Sequence, residues 1–394
     1  MTTTTRRRVE MPQLFDRIPG TISLSGGLPD LTVLPAAKIA ELTSRMLRLG
    51  SRTLLQYSTP TVSSSLIPAI LDLAARTGMT PDPDHLVPTA GSQLGMMMVA
   101  NILDGDAIVC DSPTYPGALA AWASADMDLI GVAGDEEGLN PDALAHTISD
   151  LRGRGRRVAA VYTTPTFQNP TGSVQSEARR ADILEICARN DLLVIEDDPY
   201  GMLSFEGRTW PALKSMDPDR VIYLGTFSKV FAPGVRCGWI DPPADLVDDL
   251  RAMCEVMTLS PSALNQAIIG EYHRRHGWDD LLEAYRASYR DRAQALSHAL
   301  ESELTQSGQP TTWTWRTPQG GFYLWLENVS GVSGADVARR AAANGVRVVP
   351  GLHFDPAGLD SPSMRVSFSY PRPTELTEGA RRLAAALVET GVSA

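Results

Sequence analysis

From about residue 86 to residue 240 the chain repeats one pattern, a short apolar run followed by a stretch of helical periodicity. Ala107-Ile-Val-Cys110 leads into Asp111-Ser-Pro-Thr-Tyr115, and Val158-Ala-Ala-Val-Tyr162 into Thr163-Thr-Pro-Thr-Phe-Gln-Asn169-Pro-Thr-Gly172. Leu192-Leu-Val-Ile195 leads into Glu196-Asp197-Asp198-Pro-Tyr200, and Val221 to Leu224 into Gly225-Thr-Phe-Ser-Lys229. Between the second and third runs, Ile183, Leu184, Ile186 and Cys187 mark one helical face behind a Ser176 cap. Strands alternating with helices in this way predict an α/β fold with a mostly parallel central sheet and helices on both faces. Ligands of such sheets gather at the carboxyl ends of the strands, where the reactive residues fall in this chain.

The C-terminal third follows a different pattern. A helix from Leu281 to Leu304, an alternating strand over Gly320 to Leu326, a helix near Ala335 to Asn344, strands at Val346 to Val349 and Met364 to Phe368, and a closing helix from Thr374 to Thr390 predict a smaller α+β domain. Residues 1–45 are assigned to an N-terminal arm and part of that small domain, 46–270 to the large domain, and 271–394 to the rest of the small one.

Within the large domain one residue stands out. The chain has three lysines, Lys38, Lys214 and Lys229, against 32 arginines. A guanidinium stays protonated and cannot act as an amine nucleophile, so a lysine kept in such a chain has meaning where a primary amine is needed. Lys38 and Lys214 read as solvated charges, whereas Lys229 follows a buried strand that ends in small hydroxyl residues and precedes Pro233-Gly-Val-Arg236.

Bulk properties narrow the function classes. A net charge of −11 and a pI near 5.1 argue against nucleic acid or an anionic membrane as the main partner. Cys110, Cys187, Cys237 and Cys254 are far apart and form no CxxC pair, which gives a zinc site or a disulfide framework no support. No metal is expected. No apolar run reaches the length of a membrane span and the N-terminus lacks an apolar signal core, so a cytoplasmic location is expected. Arg6-Arg7-Arg8 reads as part of a frayed terminus.

Each turn motif is weak alone, but their joint order is specific: Asn169-Pro-Thr-Gly172, then Asp197-Asp-Pro-Tyr200, then Ser228-Lys229, then Arg236. In that order the chain resembles the fold type I pyridoxal 5′-phosphate enzymes of the class I/II aminotransferase family, from Ser25-Gly-Gly-Leu-Pro29 to Met364-Arg-Val-Ser-Phe368. Ser25-Gly-Gly-Leu-Pro29 and Asp111-Ser-Pro-Thr-Tyr-Pro-Gly117 resemble the branch of 2-aminoadipate-type and multisubstrate aminotransferases, which also holds aminotransferase-like domains of transcriptional regulators.

The resemblance implies a role for each residue. Lys229 would carry the cofactor as a Schiff base and then move the substrate proton. Asp197 would pair with the pyridine nitrogen, and Tyr200 and Asn169 would bond the ring's 3-oxygen. Ser92 and Gln93, at the start of a helix opened by Gly91, would hold the phosphate together with Thr226, Ser228 and Arg236, and Tyr115 would stack on the ring. The Leu94, Met97 and Met98 cluster of that helix reads as core packing. Arg365 would grip the substrate carboxylate, assisted by Asn169 and the backbone of Gly27. Tyr57 would reach the phosphate of a partner subunit, which implies a homodimer with shared active sites. The implied substrates are small molecules, an L-amino acid and a 2-oxo acid.

One segment departs from the family pattern. In Leu55-Gln-Tyr57-Ser-Thr-Pro-Thr-Val-Ser-Ser-Ser65-Leu-Ile67 the usual glycines, acidic residue and arginine are missing. That departure leaves an alternative reading, elimination or cyclisation of a modified amino acid with the same cofactor. A non-catalytic sensor is a second alternative, against which stand the acidic charge and the roughly 24 residues before Ser25, too few for a winged-helix domain. Arg17, Arg45, Arg48 and His353 are cationic candidates for contact with a substrate side chain, with surface solvation the simpler assignment.

Overall fold

The structure, a computed structural model, describes residues 18–309 and 311–388. Residues 1–17, among them Arg6 to Arg8 and Arg17, and the last two residues assigned to the closing helix lie outside the described residues.

Fourteen strands are described. In chain order they are β1 (Ile22–Ser23), β2 (Val87–Thr89), β3 (Ala107–Ser112), β4 (Asp128–Asp135), β5 (Gly138–Leu139), β6 (Val158–Thr163), β7 (Leu193–Asp197) and β8 (Val221–Thr226), followed by β9 (Gly238–Asp241), β10 (Trp313–Thr314), β11 (Tyr323–Asn328), β12 (Val346–Arg347), β13 (Val349–Pro350) and β14 (Ser363–Ser367). The main sheet has the order β2-β9-β8-β7-β6-β3-β4-β5. Its centre, from β4 through β3, β6 and β7 to β8, is parallel, and antiparallel strands close both edges.

Period-two alternation in the central strands sorts their side chains into two layers. Ile108, Cys110, Ala160, Tyr162, Ile195, Ile222 and Leu224 point to one face, where they meet Met96, Met98 and Val99 of helix Ser92–Ile102, Trp122 of helix Pro116–Ser124 and Leu250 of helix Val247–Thr258. Val109, Val161, Val194 and Val221 point to the other, against Leu144 and Ile148 of helix Pro141–Gly153 and Ile183 and Cys187 of helix Glu177–Arg189. A strand covered on both sides loses its polar face, which is why these runs read as continuously apolar. Ser176 caps helix Glu177–Arg189 by accepting from the Arg179 amide; of the cluster expected in the core, Met98 is buried, and Leu94 and Met97 are partly buried against it.

A third and larger cluster, rich in aromatic residues, joins the β8–β9 side of the sheet to the C-terminal elements. Phe227, Phe231 and Trp239 pack with Trp278, Tyr285 and Tyr289 of the segment that begins helix Asp279–Gln306, and with Phe322. Asp30, near the N-terminus, is tied to the same helix by an ion pair of 2.6 Å with Arg292.

Three expectations need correction. Gly320 to Leu326 is buried throughout rather than alternating, because β11 lies inside the sheet β10-β11-β14-β13 and is covered on both faces. The strand expected over Val346 to Val349 is two strands: β12 pairs in parallel with β1, and β13 pairs antiparallel with β14. Lys214 is not a solvated charge. It is buried, its amine donates to the carbonyls of Pro218 and Val221, and Asp241 lies 3.9 Å away.

Candidate active site

The carboxyl ends of β6, β7 and β8 open onto a cavity of about 520 Å³. Asp197 is the last residue of β7, Tyr200 follows it by one turn, and Thr226 ends β8 before Ser228 and Lys229. Asn169 lies beyond β6, and Arg365 comes from β14 on the opposite wall. Gly27, Ser92, Gln93, Tyr115 and Arg236 also line it, so twelve of the thirteen expected site residues meet in one pocket. Tyr57 is the exception, with 76% of its surface exposed and no place in the pocket of the single chain.

The Lys229 amine donates to the Gly27 carbonyl at 2.8 Å. Burial, aided by the charges of Arg365 and Arg236, pulls its pKa down to about 8, and the Asp197 carboxylate opposes the shift. Asp197 moves the other way. Burial lifts its pKa to about 7, although Tyr162 donates a hydrogen bond of 2.9 Å to Oδ2. Oδ1 is buried and has no partner among the described residues. A carboxylate held this way fits a ligand that brings a buried N–H with positive charge.

A cradle for an anion lies at another end of the pocket. Gly91, at φ +84, precedes helix Ser92–Ile102, whose first amides have no intrahelical acceptors. Gln93 donates to the Gly117 carbonyl at 2.8 Å, and Thr226 Oγ1 donates to Ser228 Oγ at 3.0 Å. Arg236, itself at φ +45, folds its guanidinium over Gly91 and donates to the Ala90 carbonyl at 2.6 Å. The backbone conformation at Gly91 is one that L side chains rarely adopt, and a Cβ there would also stand 2.7 Å from Arg236 Nη2 and push the guanidinium aside. An exposed guanidinium beside free helix-terminal amides is the arrangement that holds a phosphate.

Arg365 is 1% exposed. Nη1 donates to Asn169 Oδ1 at 2.8 Å and Nη2 to the Ser25 carbonyl at 2.6 Å, while Nε is buried without a partner among the described residues. The guanidinium lies 4.2 Å from the ring centre of Tyr323 and 4.9 Å from that of Phe354. Held on two sides, this cation can offer its remaining N–H groups to a carboxylate.

Sequence reasoning missed two residues of the site. Tyr162 pairs with Ile195 across β6 and β7, and Asp197 lies two residues beyond Ile195, so all three share a face. That register was the available signal. Tyr323 lines the pocket beside Arg365 because Trp325 pairs with Arg365 and Tyr323 is two residues away on the same strand face. Asp198, left out of the site, does stay outside the pocket lining, with its carboxylate accepting from the Gly201 amide and the Tyr223 hydroxyl. Arg45, Arg48 and His353 do not line the pocket.

These features bring a buried amine, a buried carboxylate with one unpartnered oxygen, a buried guanidinium and an exposed arginine beside free helix-terminal amides into one cavity at the strand ends of an α/β sheet. The chain belongs to the aminotransferase class I and II family, whose model matches residues 19–383. It is 32% identical to aromatic-amino-acid aminotransferase 1 of Thermococcus litoralis, over 93% of this chain and 88% of that protein. A kynurenine aminotransferase of Pyrococcus horikoshii, solved with PMP, superposes with a TM-score of 0.88 at 30% identity, over 95% of this chain and 92% of that one. An α-aminoadipate aminotransferase of Thermus thermophilus, complexed with N-(5′-phosphopyridoxyl)-L-leucine, gives 0.84 at 32% identity, over 94% and 92%.

Proposed function

We propose that the pocket holds pyridoxal 5′-phosphate through Lys229, Asp197 and the Arg236 cradle, and that the chain moves an amino group from an L-amino acid to a 2-oxo acid. The observation that carries this reading is the pairing, in one cavity, of an amine brought to about 8 with a buried carboxylate that has one unpartnered oxygen. When bound, the cofactor supplies a carbonyl for the amino group and a protonated ring that accepts electron density from the α-carbon.

The chain's own residues have separable tasks. Asp197 keeps a proton on the ring nitrogen, with Tyr162 fixing the direction of its carboxylate. Tyr200 and Asn169 donate to the ring's 3-oxygen, and Tyr115 covers one face of the ring. Ser92, Gln93, Thr226, Ser228 and Arg236 bind the phosphate. Arg365 orients the substrate by its carboxylate, with Asn169 and the Gly27 backbone at its side, and so selects which α-carbon bond is loosened. Lys229, whose amine is lowered to about 8 and so is partly unprotonated near neutral pH, would take up the proton released from the substrate's α-carbon.

Further proposals concern assembly. Tyr57, Leu55 and Leu49 expose 76%, 68% and 78% of their surfaces, which supports a homodimer in which Tyr57 completes the partner's phosphate site. Residues 46–270 form the cofactor lobe and both chain ends the smaller one, an organisation supported by the β1–β12 pairing. Among the described residues no helix is long and apolar enough to cross a membrane, and we propose a cytoplasmic location. The altered Ser58 to Ser65 segment, on which an elimination or cyclisation reading would rest, is tied to Ser260, Pro261 and Gln266 and does not line the pocket of the single chain.

Visible absorption of the purified holoprotein, followed while amino acids are added one at a time, tests the reading. A yellow band that one donor bleaches and a 2-oxo acid restores supports transamination. If Lys229→Arg retains turnover, or the protein takes up no cofactor, the reading is wrong.

A further inference from the structure

Tyr323 is central to the pocket's geometry. Its hydroxyl lies 3.1 Å from that of Tyr200. Its ring lies under the Arg365 guanidinium at 4.2 Å. Its hydroxyl also occupies the space where a Cβ at Gly27 would stand, and the Gly27 carbonyl accepts from Lys229. Both tyrosines are almost fully buried. The side chain therefore touches Tyr200 and Arg365, whose proposed tasks are cofactor and substrate binding, and packs against Gly27, whose carbonyl accepts from Lys229.

Each phenol has one proton to donate. When one of the two protons bridges the pair, the other is left for a second acceptor. If Tyr200 donated to Tyr323, its proton would not be available to the ring's 3-oxygen. If Tyr323 donates, the Tyr200 proton is free to enter the pocket. Two features favour the second arrangement. The Arg365 cation over the Tyr323 ring withdraws electron density from it and makes that phenol the better donor. An anionic oxygen in the pocket would in turn polarise Tyr200 and strengthen its acceptance from Tyr323, since hydrogen bonds in a chain reinforce one another.

We infer that Tyr323 is a positioning residue: its hydroxyl donates to Tyr200 and thereby directs the Tyr200 proton toward the cofactor's ring oxygen, while its ring holds the Arg365 fork for the substrate carboxylate. The inference rests on the pocket binding pyridoxal phosphate as proposed above. No bond is made or broken at Tyr323. Its effect passes through Tyr200 and Arg365.

The test uses holoprotein and three variants, Tyr323→Phe, Tyr200→Phe and the double variant. Tyr323→Phe keeps the ring under Arg365 and deletes only the hydroxyl. The first readout is the pH midpoint of the visible band, whose basic form carries an anionic ring oxygen. Loss of a donor to that oxygen disfavours the basic form and moves the midpoint upward. Tyr200→Phe should raise it by about one unit and Tyr323→Phe by roughly half a unit. The double variant should match Tyr200→Phe, because a relay has nothing to act on once its target is gone. In turnover, Tyr323→Phe should lower kcat a few-fold and leave the amino-acid KM near wild type, whereas Tyr323→Leu, which also removes the ring, should raise KM as well.

A Tyr323→Phe midpoint equal to wild type, beside a shifted Tyr200→Phe, overturns the relay, as does a Tyr323→Phe shift that persists in the double variant. A Tyr323→Leu KM equal to that of Tyr323→Phe removes the ring's part. If wild-type protein gives no visible band at all, the reading of the pocket fails and the inference falls with it, an outcome distinct from a band that forms and ignores Tyr323.

Discussion

Asp197→Asn in cofactor-free protein gives the most direct view of the site's physics. Burial holds the Asp197 carboxyl at about 7 against an ordinary value of 3.8, so its ionised form costs the folded state about 4 kcal/mol when no cation pairs with it. The folded-state pKa is raised, so the folded protein binds this proton more tightly than the unfolded chain does. The penalty is absent below about pH 4, grows as pH rises and is complete above about pH 7. Asparagine is close in shape, keeps an oxygen for Tyr162 and carries no charge. Between pH 5 and pH 8 wild type should therefore lose about 2 to 3 kcal/mol of stability relative to Asp197→Asn. Glu196 and Asp111, also lifted to about 7, add the same slope to both proteins, and the difference reports Asp197. Lys229 does not reverse the sign. Its lowered pKa is a penalty on the protonated amine that is relieved as pH rises past about 8, and loss of Asp197 would start that relief earlier in the variant. Urea unfolding followed by tryptophan fluorescence at pH 5, 6, 7 and 8 measures the difference. Saturating pyridoxal phosphate should reverse the ranking by stabilising wild type more. Parallel stability–pH curves for the two cofactor-free proteins would refute the claim that burial outweighs the attraction of Lys229 for this carboxylate.

Two further perturbations separate the ends of the pocket. Arg365→Lys keeps the charge but cannot serve Asn169, the Ser25 carbonyl and a substrate carboxylate together; kcat/KM should fall by roughly 10- to 100-fold for every donor alike, mainly through KM. Steady-state kinetics with several amino acids checks it, and a loss confined to one donor would place Arg365 at the side chain instead. Gly91→Ala forces a Cβ to 2.7 Å from Arg236 Nη2 at φ +84, and should weaken cofactor affinity by about tenfold. Reconstitution titrations measure that loss, and an unchanged dissociation constant would remove Arg236 from the phosphate cradle.

What the sequence discloses and what it hides divide on physical lines. Of the five strands that form the parallel centre, β3, β6, β7 and β8 were legible because a strand covered on both faces must be apolar along its length, and the residues that end each run had nowhere to sit but the strand tips; β4, mostly exposed, carries no such run and was not read. Lys229, Asp197 and Asn169 were found this way, each unusual in chemistry and fixed in position. The small lobe was less legible. A two-residue strand such as β12 or β13 has no period to detect, and Val346 to Val349 reads as one run although the chain crosses there between sheets. Lys214 was misjudged because composition registers a charge and not the carbonyls of Pro218 and Val221 that satisfy it in the interior.

The contacts that hold the reactive groups in place were the least visible. Gly27 meets Lys229 across 202 residues, Ser25 meets Arg365 across 340, and Asp30 meets Arg292 across 262. No local pattern encodes such separations. They matter because Arg365 and Lys229 belong to different lobes in the proposed division, and the segment from Ser25 to Asp30 reaches both. A substrate gripped by Arg365 and deprotonated by Lys229 would keep its α-carbon aligned only while that segment fixes the distance between them. On this argument the Ser25 to Asp30 stretch is as much a part of the catalytic geometry as the residues whose chemistry announces them.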